Sequence, residues 1–243
     1  MTGWLSRMFQ RTRRPGFPDI APDAPFYVIG DVHGQASLLE SLLDRLDPAL
    51  MVVLVGDCID RGEHSARVLR TLSVRPRTRC LRGNHEAMLQ AFLEDPQKQG
   101  PRWLRQGGLQ TLASFGIAGV TPSTTGSRLD DAATQLRHAM GEDLIRWLAA
   151  LPDRYISGNV AVVHAGADPG TDLVKQDSAT LIWGHADFLR QPRRDGIWVV
   201  HGHTIVPAPS VRDGRIAIDT GAYVTGTLTA ALIAGGRVSF LST

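Results

Sequence analysis

The sequence predicts an α/β fold, and three observations carry that reading. Between Phe26 and Leu93 an apolar run, a Gly-headed polar motif and a helical pattern follow one another three times. Helical periodicity then fills residues 86–151, and the second half returns to short β runs joined by Gly-rich turns. Strand, motif and helix in repetition make a parallel β-α-β-α-β unit, which delivers polar residues at the carboxyl ends of its strands.

In chain order, residues 3–14 place Trp4, Leu5, Met8 and Phe9 on one helical face, followed by arginines. Such a segment either touches an anionic membrane surface or a partner, or is a frayed or self-docked terminus. Pro15, Pro18, Pro22 and Pro25 make a stiff linker, so residues 1–24 are expected to precede a single domain of residues 25–243. Phe26–Ile29 reads as a buried strand. Ser37 and Glu40 form a capping box ahead of Leu38, Leu39, Leu42, Leu43 and Leu46, which recur at helical spacing. Met51–Val55 is a second strand, Arg67–Leu72 continues a helix, and Thr78–Leu81 is a third strand.

Helices are then expected over Ala87–Leu93, Trp103–Phe115, Leu129–Met140 and Asp143–Leu151, as a cap of about residues 87–151 inserted over the site. Strands resume at Val160–Val163, Ile197–Val200, Ile216–Ile218, Leu228–Ala234 and Arg237–Leu241.

Composition narrows the class. With 43% apolar and 21% charged residues in 243, the chain reads as globular, and no apolar run is long enough to span a membrane. The first twenty residues lack a secretory core, so a cytoplasmic location is expected. Two cysteines, Cys58 and Cys80, exclude a disulfide framework and a thiolate zinc cluster. Subtracting Arg7, Arg11, Arg13 and Arg14 from the net charge of +2 leaves −2, which gives no case for a nucleic-acid groove.

The motifs are Gly30-Asp31-Val32-His33-Gly34, Gly56-Asp57-Cys58-Ile59-Asp60-Arg61-Gly62 and Gly83-Asn84-His85-Glu86, then His164 and Gly202-His203-Thr204, each after an apolar run. Hydrolysis of a phosphate ester needs cations for the phosphoryl oxygens, and two divalent ions about 3.5 to 4 Å apart supply them. Asp31 and His33 alternate by two, so an extended strand end turns both toward one ion. Asp57 is placed to bridge, and Asn84, His164 and His203 can close the second shell. This O/N donor set suits Mn²⁺, Fe or Zn²⁺ better than Ca²⁺.

These ordered motifs resemble the calcineurin-like metallophosphoesterases, and within them the bacterial and phage branch of the phosphoprotein (serine/threonine) phosphatases. The likeness runs from about Phe26 to Ala231 and includes Trp103–Phe115 and Ile218–Tyr223. It implies two mixed β-sheets packed as a sandwich with flanking helices. Asp31, His33 and Asp57 would hold the first metal, and Asp57, Asn84, His164 and His203 the second, usually as Mn²⁺. Arg61 would bind the phosphoryl oxygens, and His85, oriented by Asp60, would be the general acid. A metal-bridging hydroxide would attack phosphorus in line. The substrate implied is a phosphorylated protein or a small phosphoester. The runner-up is a dinucleoside tetraphosphate hydrolase, whose symmetrical branch typically has Ala in place of Asp60 and Asp in place of Glu86. A non-catalytic phospho-binding protein is the third reading.

One position departs from the family: two residues after Trp183, where a second phosphate-binding Arg is usual, stands His185, with Arg190, Arg193 and Arg194 nearby. Tyr223 either overhangs the substrate or packs in a β-turn. His201 either orients a ligand or packs, and Cys58 is either a redox sensor or a small packing residue. His64 and His138 read as surface residues.

Overall fold

The computed structural model describes residues 9–11 and 17–243. Among these residues the strands form a six-stranded sheet of order β1-β11-β10-β2-β3-β4 and a five-stranded sheet of order β5-β6-β7-β9-β8. In the first sheet β2 (Phe26–Ile29), β3 (Met51–Leu54) and β4 (Thr78–Cys80) run parallel, crossed over by α1 (Ala36–Leu43) and α2 (Ser65–Val74). The antiparallel β10 (Thr229–Ala234), β11 (Arg237–Ser242) and β1 (Phe9–Arg11) extend its other side. The second sheet contains β5 (Arg154–Ser157), β6 (Val160–Val163), β7 (Trp198–His201), β8 (Ser210–Arg212) and β9 (Arg215–Ala217), with β6, β7 and β9 parallel.

Alternation along each strand builds the layers. Val28, Val53, Val160, Val162, Val200 and Ile233 meet between the sheets in one apolar cluster. Their neighbours Ile29, Leu54 and Ala230 face the helices, while Ala161, Val163 and Val199 face α8 (Ser178–Trp183) and its flanking loops. Strands buried on both faces read as unbroken apolar runs, which is why β6 was plain in the sequence. The expected sandwich of two mixed sheets with helices outside is the architecture found.

The helical stretch comprises α3 (Asn84–Glu94), α4 (Pro96–Trp103), a π-helical segment Leu104–Gly108, α5 (Leu109–Ser114), α6 (Ser127–Met140) and α7 (Glu142–Ala149). Its apolar residues Leu89, Phe92, Leu112, Leu129, Leu136 and Leu148 join those of α1 and α2 in one cluster. No helix among the described residues is long and apolar enough to cross a membrane.

Of the two readings of the N-terminal segment, residues 9–11 take the self-docked one: they pair with Arg237–Ser239 and satisfy the backbone edge of β11, while Trp4, Leu5 and Met8 lie outside the described residues. Two further expectations are corrected. Ser37 and Glu40 make no capping box, because the turn at His33–Gly34 starts α1 at Ala36 with Gln35 as cap; Glu40 pairs with Arg67 instead. The short edge strands β5 and β8 were unanticipated, since only Ser157 of their residues is buried and they carry no apolar run. Residues 17–23 lie against the second sheet: Phe17 packs edge-on against Trp198 at 4.9 Å, and Ile20 is buried.

Leu69→Ala, in the fully buried face of α2, is expected to cost about 2 to 5 kcal/mol in urea unfolding. Val74→Ala, at an exposed position of the same helix, should stay within about 0.5 kcal/mol.

Candidate metal centre

The polar motifs meet where the strands of both sheets end. Asp31 follows β2, Asp57 follows β3, Asn84 opens α3 after β4, His164 follows β6 and His203 follows β7. The ligand atoms of His33, Asp57 and His85 lie within 4.8 Å of one another, as do those of Asp57, His164 and His203. Asp57 belongs to both groups, and the first holds His85 where the sequence expectation has Asp31.

The loops reach this geometry through unusual backbone. His33, Asp57, Asp60, Arg61 and His203 have φ of 45°, 51°, 69°, 68° and 61°. Non-glycine residues rarely adopt left-handed φ, and such residues gather at functional sites where the surroundings hold them. The alternation argument for Asp31 and His33 is thereby corrected. β2 ends at Ile29, so a left-handed turn, not strand periodicity, directs the His33 ring.

The rings of His33, His164 and His85 are each oriented by a partner on the nitrogen away from the centre. His33 Nδ1 donates to the Ile59 carbonyl at 2.8 Å, which leaves Nε2 toward Asp57 Oδ2 at 3.6 Å. His164 Nδ1 faces the Val55 carbonyl at 3.2 Å, and its Nε2 reaches Asn84 Oδ1 at 2.9 Å and Asp57 Oδ1 at 3.3 Å. His203 Nδ1 lies 2.9 Å from the same Asn84 oxygen. A backbone carbonyl on one nitrogen fixes the tautomer that offers the other as a metal ligand. His85 differs, because its Nδ1 meets the Asp60 carboxylate at 2.7 Å while Nε2 stands 3.8 Å from Asp57 Oδ2.

Asp31 receives the His203 amide on both oxygens, at 3.2 and 3.1 Å. Gly202 allows that approach, since a Cβ there would sit 1.9 Å from Asp31 Oδ1. Arg61 donates to His33 Nε2 at 3.1 Å, and its guanidinium lies 4.6 Å from the centre of the Tyr223 ring. Tyr223, on the single-turn α9 (Ala222–Thr225), also packs edge-on against His33 at 5.0 Å. It is thus beside the centre rather than in a β-turn.

The electrostatics follow from burial and from these neighbours. Burial raises the Asp57 carboxyl, yet His164, His85 and His33 outweigh it and hold the group well below the usual range. Asp31 is pushed well up, by burial first and then by Asp219 and Asp57. Burial lowers His33 to about 3, and burial with His164 lowers His203 to about 4. His164 goes the other way, to about 9, because Asp57 outweighs its burial.

A divalent ion fits this site on its donor chemistry. Carboxylate, amide and imidazole donors converge, and Asp31, Asp57, Asp60, Glu86 and Asp219 bury five carboxylates with Arg61 beside them. Buried charge of one sign is costly without compensation, and cations would offset it.

Several residues singled out in the sequence make other contacts than those expected of them. The His185 ring accepts the Asp187 amide at 3.2 Å and joins no described contact of the centre. Arg193 cannot substitute for the missing arginine, because it pairs with Asp195 and bonds the Asp168 and Thr171 carbonyls. His201 is buried against Phe188 at 4.9 Å, and its Nδ1 meets the Gly202 carbonyl, so it packs rather than orients a ligand. Cys58 is buried beside Cys80 with its thiol pushed up, first by a hydrogen bond with Cys80, which favours packing over sensing. His64 and His138 are exposed.

Sequence reasoning left Glu86, Trp103, Thr111 and Asp219 without a role. Glu86, fully buried, accepts the amides of Asp57 at 2.8 Å, Cys58 at 2.8 Å and Gly83 at 2.9 Å, and so ties the second motif to the third. Asp219 accepts the Gly221 amide at 2.8 Å, and its like charge pushes the Asp31 carboxyl further up. All four lie in segments already singled out by likeness, but a buried hydrogen-bonding partner has no signature in spacing.

The family described as calcineurin-like phosphoesterase matches residues 24–207. The chain is 30% identical over 232 residues to bis(5′-nucleosyl)-tetraphosphatase PrpE (asymmetrical) of Oceanobacillus iheyensis, covering 84% of this chain and 86% of that one. It is 28% identical over 215 residues to serine/threonine-protein phosphatase 2 of Salmonella typhimurium, covering 84% and 90%. A crystal structure of a metallophosphoesterase from Sphaerobacter thermophilus superposes with TM-score 0.55 at 16% identity, covering 90% of this chain and 88% of that one, which is a likeness of fold.

Glu86→Ala would leave three buried amides without an acceptor, and a loss of about 3 kcal/mol or more is expected in chelator-treated protein, read by denaturant unfolding. His164 gives a pH signature in the same metal-free state. Its folded pKa, raised to about 9, means the pair with Asp57 stabilises fully below the unfolded value near 6.5 and is lost as pH rises through 9. The melting temperature in EDTA should therefore fall over that window, and His164→Asn should flatten the fall.

Proposed function

The chain belongs to the calcineurin-like phosphoesterase family, and on that premise we propose that this metal-dependent phosphoesterase hydrolyses phosphate monoesters, foremost phosphoserine and phosphothreonine in proteins. The observation that carries the choice of substrate is the contrast among the histidines. His33 and His164 are backed by carbonyls, whereas His85 is backed by the buried carboxylate of Asp60 at 2.7 Å. A carboxylate behind an imidazole stabilises its protonated form; against the pull of burial, Asp57 and Asp60 raise the His85 pKa. A proton donor facing the reacting centre serves a poor leaving group such as a serine alkoxide. The phosphate released from a nucleoside polyphosphate is a better leaving group and has less need of one.

Asp31, His33 and Asp57 would hold one divalent ion and Asp57, Asn84, His164 and His203 a second, with Mn²⁺ foremost and Fe or Zn²⁺ as alternatives. When bound, these ions neutralise phosphoryl charge and lower the pKa of water. Arg61, with its guanidinium stacked against Tyr223, binds phosphoryl oxygens. His85 Nε2 gives its proton to the departing oxygen as the old P–O bond breaks and the oxygen of water forms the new one. Water and monoester become alcohol and phosphate, and the second proton of water restores the imidazolium. With His185 outside the described contacts of the centre, Arg61 carries phosphate recognition without the second arginine usual in this branch.

The second reading, a dinucleoside tetraphosphate hydrolase acting in a cytoplasmic setting, draws its support from the name of the Oceanobacillus iheyensis relative. A competition assay with Mn²⁺ between phosphoserine peptides and diadenosine tetraphosphate separates the two. The peptides should turn over faster, and His85→Asn should reduce that rate by about 10²-fold or more with metal content unchanged. Preference for the dinucleotide would overturn the substrate, and metal loss in His85→Asn would make His85 a ligand.

A further inference from the structure

Asp60 is bonded more heavily than the orientation of one histidine requires. Its carboxylate is fully buried. Oδ2 accepts from His85 Nδ1 at 2.7 Å and from Trp103 Nε1 at 2.9 Å, and Oδ1 accepts from the Thr111 hydroxyl at 2.6 Å. The Asp60 amide in turn donates to Ser65 Oγ and to Thr111 Oγ1, both at 3.0 Å. Trp103 and Thr111 are themselves buried, and they stand 43 and 51 residues from Asp60 in sequence.

The path of the chain between them is built for this convergence. In an unbroken α-helix two residues eight apart lie about 12 Å apart along the axis and about 80° apart around it. Here the π-helical segment Leu104–Gly108 intervenes, and Gly107, at φ 110°, breaks the helix. Its carbonyl accepts the Arg61 amide at 3.2 Å. A Cβ at Gly107 would sit 2.6 Å from the Arg61 nitrogen, and one at Gly108 would sit 2.4 Å from the Trp103 ring. The break is thus pressed against the Asp60-Arg61 turn, and it sets indole and hydroxyl on the two oxygens of one carboxylate.

We propose that Trp103 and Thr111 are positioning residues for proton transfer to the leaving oxygen, acting through Asp60 on His85. The inference rests on the reading of His85 as the general acid. A carboxylate able to rotate or to shift its bond away from Nδ1 would leave the imidazole free to swing. With the indole and hydroxyl in place both oxygens are committed, and Nε2 keeps its aim at the centre. The loss on removing either donor should therefore scale with how much the leaving group needs a proton.

The test compares p-nitrophenyl phosphate, whose leaving group departs unaided, with phenyl phosphate, whose leaving group is more basic, in the Mn²⁺-loaded full chain. Trp103→Phe and Thr111→Val should lower kcat for phenyl phosphate by about 10- to 100-fold. The change for p-nitrophenyl phosphate should stay under about threefold, with KM and metal content unchanged, and Thr111→Ser should restore the rate. His85→Asn is the reference and should show the same selectivity more strongly. Equal losses on both substrates, or a loss that Thr111→Ser does not restore, would reduce these residues to a structural role. If His85→Asn is itself unselective, the general-acid reading fails and the inference with it. If only His85→Asn is selective, the inference alone fails.

Discussion

The Asp57 carboxylate is the constraint around which the molecule is arranged. It is buried where both sheets end, with His33, His85 and His164 within 4 Å and the His85 amide at the start of α3 donating to it at 3.0 Å. An ionised group in such a place must be met by positive charge, by donors or by a metal. Three separate segments of chain, carrying His33, His85 and His164, meet that requirement at one point, and Asp57 itself sits there with left-handed backbone.

Two further carboxylates do different work with the same chemistry. Glu86 spends both oxygens on backbone amides of the neighbouring loops, so its task is to fix the loops that carry Asp57 and Asn84. Asp60 spends its own on side chains, one of them an imidazole facing the centre. Burial penalises both anions alike, and the partners decide which one locks loop geometry and which supports a proton donor. Helices of the 84–149 region share their apolar faces with α1 and α2 and, through Trp103, Gly107 and Thr111, reach the turn at Asp60 and Arg61.

The elements that were legible had a periodic signal. β2, β3 and β6 lie within unbroken apolar runs, α1 and α2 carried leucines at helical spacing, and the five ordered motifs marked where ligands had to be. β5 and β8 were missed because edge strands with mostly unburied faces need no such run. The capping box at Ser37 and Glu40 failed because a turn upstream had already begun the helix, and a local signature cannot know that. His185 and Arg193 illustrate the same limit: the family position after Trp183 pointed to the first and nearness to it to the second, whereas in the structure the His185 ring accepts the Asp187 amide and Arg193 pairs with Asp195.

By itself the sequence determined the α/β order of elements, the strand ends that carry chemistry and the residue types available there, because these depend on hydrophobic period and local composition. Only the tertiary structure decided which nitrogen of each histidine faces the centre, that Glu86 is a loop anchor, and that Trp103 and Thr111 meet on Asp60. Those outcomes depend on which distant carbonyl, amide or carboxylate arrives on the far side of a side chain, and no spacing along the chain records that arrival.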